Sequence, residues 1–165
     1  MAAETKQERL IRYLDDAWAV EKALVAALKD MADEVNDPQV KALFEEHRTV
    51  THAQEEALEA RIRALGQEPS GGKGFFNQMV AKIGDVLHAA HDEYDKTSQD
   101  LMKGYATENF EMAMYEALES YSTAIGDTET ATLARQHHQQ EKEASEKIWP
   151  LIGPASARAV EAAAQ

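Results

Sequence analysis

Glu21, Glu108, Glu111 and Glu141 stand in lines of otherwise apolar residues. The first line reads Leu14, Ala17, Glu21, Leu24, Leu28, Met31, Val35. A later one reads Leu101, Gly104, Glu108, Glu111, Tyr115, Leu118, and one near the C-terminus reads Leu133, His137, Glu141, Ala144, Ile148, Leu151. Each follows the alternating three-and-four spacing that sets residues on one helical face. A carboxylate on such a face is costly to bury unless it is paired, protonated or bound to a cation. Inward Glu and His on facing helices of a four-helix bundle are one known way to hold two metal ions. A further line, Phe44, His47, Thr51, Gln54, Leu58, turns polar midway, and His52 lies one residue off it.

These residues leave two readings open. Antiparallel helices of similar length bring their midpoints to one height, so the polar interruptions should converge on one layer. Several carboxylates at one level repel unless a cation or protons neutralise them, which favours a metal site built from Glu21, Glu108, Glu111 and Glu141, with His47, His52 and His137 as weaker candidates. The alternative is a buried polar network of Glu with His, Tyr115 or Thr51 and no metal. The chain has no Cys, so thiolate sites, disulfides and Cys nucleophiles are excluded. Carboxylate and imidazole ligands suit iron, manganese or zinc better than copper(I).

The elements that must position these groups are helices. With 165 residues, 44% hydrophobic, 8 Gly and 4 Pro, the chain fits a single all-α domain over 1–165. The periodicity predicts helices over about 5–35, 38–65, 97–125 and 128–149. Asp37-Pro38 should cap and open the second, Gly66 and Gly126 should terminate the second and third, and Asp127 or Thr128 should cap the fourth. Phe75 to Tyr94 reads as a less regular helix carrying Phe75, Phe76, Met79, Ile83 and Leu87. The architecture expected is an up-down four-helix bundle with a long helical crossover between helices two and three, its core over about 5–152 and a loose Ala-rich tail at 153–165.

Asp85, His88, His91, Asp92 and Asp95 form a second polar cluster. His88 and His91 share a face and with an Asp could hold a divalent ion, but a solvated face opposite Ile83 and Leu87 is the reading preferred. Tyr105, Phe110, Met112, Met114 and Tyr121 read as core, and Trp18 and Trp149 as core or interface. No Gly-rich phosphate loop or nucleophile elbow stands in the chain. A net charge of -13 disfavours nucleic acid and anionic membranes as partners. No apolar run approaches a membrane span and Met1 to Arg9 lacks an apolar signal core, so the cytoplasm is the expected location.

Asp16-Ala17-Trp18-Ala19-Val20-Glu21-Lys22-Ala23-Leu24, Phe44-Glu45-Glu46-His47 with Thr51 and Gln54, and Glu108-Asn109-Phe110-Glu111-Met112-Ala113-Met114-Tyr115 are similar to the YciE/YciF-like family. So are Gly126-Asp127, Ala134-Arg135 and Glu141, and the resemblance runs over roughly residues 8–152. It implies a ferritin-like four-helix bundle associated with bacterial stress responses, with Glu21, Glu108, Glu111 and Glu141 matching the inward carboxylates. Helix two departs: where the family usually carries Glu, two residues after His47, this chain has Thr49. Helix two offers Thr49-x-x-His52 and helix four the reversed His138-x-x-Glu141, in place of the Glu-x-x-His of the ferritin template. This departure puts one ligand of a bridged pair of metals in question and leaves a dinuclear, a single-metal, an asymmetric and an empty site open.

Together these readings point to a ferritin-like, iron- or manganese-binding stress protein. A redox role would be reaction with oxygen or peroxide, with Tyr115 as a neighbouring electron donor; no specific reaction is assigned. The rival is a metal-free structural or partner-binding bundle with a degenerate site. The family resemblance and the apolar Phe75, Phe76 and Trp149 suggest a homodimer rather than an iron-storing cage.

Overall fold

The computed structural model describes residues 3–70, 90 and 92–163. Thr5 opens α1 (Lys6–Glu34) with a capping box: its hydroxyl accepts from the Glu8 amide at 3.2 Å while the Glu8 carboxylate accepts from the Thr5 amide at 2.7 Å. Val35 leaves the helix in an extended conformation ahead of Asn36-Asp37-Pro38. The Asp37 carboxylate then accepts from the amides of Gln39 and Val40, and Pro38 begins α2 (Pro38–Ala64) without losing a needed donor. Gly66, at φ 81°, supplies the left-handed residue that closes α2.

Asp92 caps α3 (Glu93–Ile125) by accepting from the amides of Tyr94 and Asp95, so this helix starts a turn before the predicted position and starts afresh at its own cap. Gly126, at φ 85°, ends it, and the Asp127 amide reaches back to the Ser122 carbonyl at 2.9 Å. Asp127 caps α4 (Thr128–Ala163) through the Thr130 amide. Most of the predicted crossover helix, with Asp85, His88, His91, Phe75 and Phe76, lies outside the described residues.

One expectation is corrected at the C-terminus. The stretch from Gly153 is not a loose tail, because α4 continues through Pro150 and Pro154 to Ala163. Ala155 is buried, Ser98 and Ser156 hydrogen-bond, and Arg158 pairs with Asp37. Tertiary contacts hold a segment in which no apolar stripe is legible.

The core has two apolar layers with a polar layer between them, and a smaller apolar cluster of Val20 and Leu24 packed against Phe110 and Met114. Leu10, Leu14, Ala17 and Trp18 of α1 meet Leu58 and Ile62 of α2, Tyr115 and Leu118 of α3 and Ala134 of α4 at one end. At the other, Leu28, Ala32 and Val35 meet Val40 and Phe44, Leu101, Ile148 and Ala155. The membership fixes the direction of each helix. α1 and α4 run one way, and α2 and α3 run the other. Because α2 and α3 are parallel, α3 begins at the end of the bundle opposite to the one where α2 stops. Packing is close within the α1–α2 and α3–α4 hairpins and looser between them. At Gly104 an added Cβ would meet Ile148 Cδ1 at 3.4 Å, van der Waals contact that marks how closely α3 approaches α4 there.

Tyr105, Phe110, Met112, Met114 and Tyr121 are half-buried on the flank of this core rather than within it. Trp18 is buried, whereas Trp149 is 62% exposed and rests against Tyr105. No helix among the described residues is long and apolar enough to cross a membrane.

Candidate metal centre

All members of the four polar-interrupted lines that carry chemistry are buried: Glu21 on α1, His47, Thr51 and Gln54 on α2, Glu108, Glu111 and Tyr115 on α3, and His137 and Glu141 on α4. The antiparallel arrangement brings them to one height between the two apolar layers. His47, Glu108, Glu111 and Glu141 each offer a ligand atom, and these atoms all lie within 4.8 Å of one another.

The geometry inside this group is not that of a settled hydrogen-bond network. His47 Nε2 lies 2.9 Å from Glu108 Oε2 and 3.5 Å from Glu141 Oε2. Yet the imidazole is misaligned for donation, and neither His47 Nε2 nor Glu108 Oε2 has a hydrogen-bond partner among the described residues. The same holds for both oxygens of Glu111, for Oε2 of Glu21 and Glu141, for the Thr51 hydroxyl and for His137 Nδ1. Protein donors reach only part of the layer. Gln54 donates to Glu141 and, at 3.2 Å, to Gln140, and the Tyr115 phenol donates to Glu21. The His137 ring stands edge-on to Tyr115 with centroids 5.1 Å apart.

Two carboxylate charges about 4 Å apart repel by about 4 kcal/mol at the effective dielectric of a protein site. Such a layer cannot hold all its charges without compensation. Burial pushes Glu108 up to about 7 and, with a hydrogen bond that protonated Glu141 donates to Glu108, Glu141 up to about 8. Burial followed by the charge of Glu141 holds Glu21 well above the ordinary carboxylate range. For Glu111 burial is again first, and the charges of Glu21, Glu141 and Glu108 add to it. Burial moves His47 down and His137 down to about 4, so both imidazoles are neutral near pH 7 and able to ligate. Without a cation the acids must take up protons. With one, they release them and their unpartnered oxygens acquire a partner. This donor set of one imidazole and hard oxygens fits a divalent transition ion.

The structure redistributes some sequence-derived roles. His52 does not join the layer: its side chain is 59% exposed and faces Glu55 and Glu56 on its own helix, because one residue beyond Thr51 is a rotation of about 100°. Thr49 is also exposed, its hydroxyl donating to the Glu45 carbonyl at 3.1 Å. The Thr49 position therefore faces away from the site, and Thr49 in place of the family Glu does not by itself remove an inward ligand. Helix two turns inward at His47, Thr51 and Gln54 instead. Glu21 and His137 are in the layer but outside the four-residue group. Gln140 is a partner that sequence reasoning missed; as the exposed neighbour of Glu141 it carries no signal, since its link to Gln54 is purely tertiary.

A ferritin-like bundle with a buried imidazole–carboxylate group compatible with metal binding is the class that this arrangement defines. The chain belongs to the family described as Domain of unknown function (DUF892), which matches residues 5–161. Its fold is similar to that of the E. coli stress protein YciF, with a TM-score of 0.82 at 19% identity over 94% of this chain and 99% of that one. A protein from Xanthomonas campestris pv. campestris gives 0.80 at 23% identity, covering 98% of this chain and 100% of that one. Dps from Thermosynechococcus elongatus gives 0.73 at 16% identity over 89% and 92%. At these identities the likeness is one of fold.

Proposed function

We propose that this protein binds iron or manganese in the bundle core, with His47, Glu108, Glu111 and Glu141 holding an ion and Glu21 and His137 beside it for a second. The observation that carries this reading is the convergence of buried ligand atoms that lack hydrogen-bond partners among the described residues. When bound, such an ion would supply electron exchange with oxygen or peroxide. The chain's own contribution is to hold neutral imidazoles and releasable carboxylate protons around it, to exclude bulk water with two apolar layers, and to place Tyr115 within contact of Glu21. Likeness of fold to a protein named for stress supports a stress role as part of the same proposal.

The test is elemental analysis of protein purified without chelator, followed by anaerobic loading with iron(II) and with manganese(II). Bound metal at up to two ions per chain is the expected result; no bound metal after loading would overturn the reading. A second reading, an ion-free structural or partner-binding bundle, draws on the hydrogen bonds from Gln54 to Glu141 and from Tyr115 to Glu21, which already partner two of the acids. It predicts melting that is insensitive to chelator. We also propose a homodimer, supported by the exposed Trp149 on α4; light scattering showing twelve or more subunits, or a strict monomer, would overturn it.

A further inference from the structure

The polar layer is sealed at both ends by apolar packing, so a cation must come through the side of the bundle. Three clefts open along the looser α2–α4 seam; the one around Arg61 and Glu129 touches no member of the polar layer, and Gln140 lines the other two. The larger, about 530 Å³, reaches Gln54 and His137, but its rim carries Arg135 and amides and no carboxylate. The smaller, about 170 Å³, is lined by Leu43, Glu46, His47 and Val50 of α2 and by Gln140, Glu143, Ala144 and Lys147 of α4. His47 forms its inner wall while its Nε2 faces Glu108 and Glu141 on the other side. The ring is 6% exposed, and its Nε2 has no hydrogen-bond partner among the described residues. At the rim, Lys147 Nζ pairs with Glu46 Oε1 at 2.8 Å, linking α4 to α2.

We infer that the small α2–α4 cleft is the route by which a divalent cation reaches the buried centre, with Glu46 as the capturing carboxylate, Lys147 as the competing cation that restrains it, and His47 as the acceptor at the inner end. This rests on the metal-binding reading above. A pair such as Glu46–Lys147, with half or more of each side chain exposed, contributes little to stability. Its cost as a restraint is therefore small, and it can yield to an arriving dication. Glu143 adds a second negative group to the same rim.

Stopped-flow uptake of cobalt(II), followed by its visible absorption, tests the route on the full chain. Lys147→Ala is expected to raise the initial rate about two- to tenfold at low ionic strength and Glu46→Gln to lower it by a similar factor, both differences shrinking with added salt. Val50→Trp, which fills the cleft, should slow uptake at every salt concentration. Lys142→Ala makes the same charge change as Lys147→Ala but lies away from the cleft lining, and Ala53→Trp obstructs the larger cleft instead; both should match the wild type. The final cobalt stoichiometry should be the same throughout. Wild-type rates in Lys147→Ala or Glu46→Gln, or slowing by Ala53→Trp in place of Val50→Trp, would overturn the inferred route while leaving the metal site standing. If the wild type takes up no cobalt at equilibrium, the metal-binding reading falls and the route with it.

Discussion

The Tyr115 phenol, on α3, donates its hydrogen bond to the Glu21 carboxylate, on α1, across the middle of the bundle. Both side chains are fully buried. The bond ties together two helices that otherwise touch sparingly, and Tyr115 also belongs to the apolar layer next to the polar one. Tyr115→Phe keeps the ring and removes the donor. It should destabilise the metal-free protein by about 1–3 kcal/mol, the cost of leaving a buried acceptor without its partner. Urea unfolding would measure it, and an unchanged midpoint would show that Glu21 finds another donor.

The raised carboxylates make a prediction about pH. In the metal-free fold Glu108 titrates at about 7 and Glu141 at about 8, whereas in the unfolded chain both titrate near the ordinary 4.5. Between those values the folded state holds more protons than the unfolded one, so its stability falls as pH rises. The contribution is fully present below about 4.5 and is lost through pH 7 and 8. The depressed His137 acts in the opposite direction, but only between about 4 and its ordinary 6.5. Above pH 6.5 the carboxylates therefore decide the sign. Metal-free protein should melt lower at pH 8.5 than at pH 6.5, and saturation with manganese(II) should remove or reverse the slope, because ion binding displaces the same protons. A chelator-treated sample with a flat profile over this range would contradict it.

Both oxygens of Glu111 are without a hydrogen-bond partner among the described residues. Glu111→Gln keeps its shape and removes its charge. Above pH 7 the variant should be more stable than the metal-free wild type by about 1 kcal/mol or more, because an amide neither buries a charge nor needs the proton uptake by which a raised carboxyl stays neutral. It should also bind manganese(II) at least tenfold more weakly by calorimetry. Gains in stability without any loss of affinity would remove Glu111 from the ligand set.

Asp37 performs two tasks: it caps α2 through the Gln39 and Val40 amides, and it pairs with Arg158 near the end of α4. Asp37→Ala should cost about 1 kcal/mol from the cap alone. It should also speed amide hydrogen exchange across the stretch after Pro154, whereas Arg158→Ala should produce only the second effect.

Local sequence determined the helices and which residues were candidates for the polar layer. Caps and breakers act within a few residues, so Asp37-Pro38, Gly66 and Gly126 could be read directly. The apolar lines on α1 and α3 were legible because burial repeats with the helical turn: from Leu14 to Leu28, and from Leu101 to Leu118, each member is buried, acids included. Towards the ends a strict heptad drifts from the true period, and Leu133 and Leu151 accordingly turn half out while Thr130 and Ala134 turn in. Tertiary structure decided what has no local periodicity. The parallel course of α2 and α3 follows from which end each shares with α1. The helical C-terminus depends on Ser98 and Asp37, far away in sequence. The rejection of His52 and Thr49 in favour of His47, and the link from Gln54 to Glu141 and Gln140, depend on the rotational setting of α2 against α3 and α4. A helical repeat shows which residues share a face; only packing of the faces against one another shows which atoms come within reach of one ion.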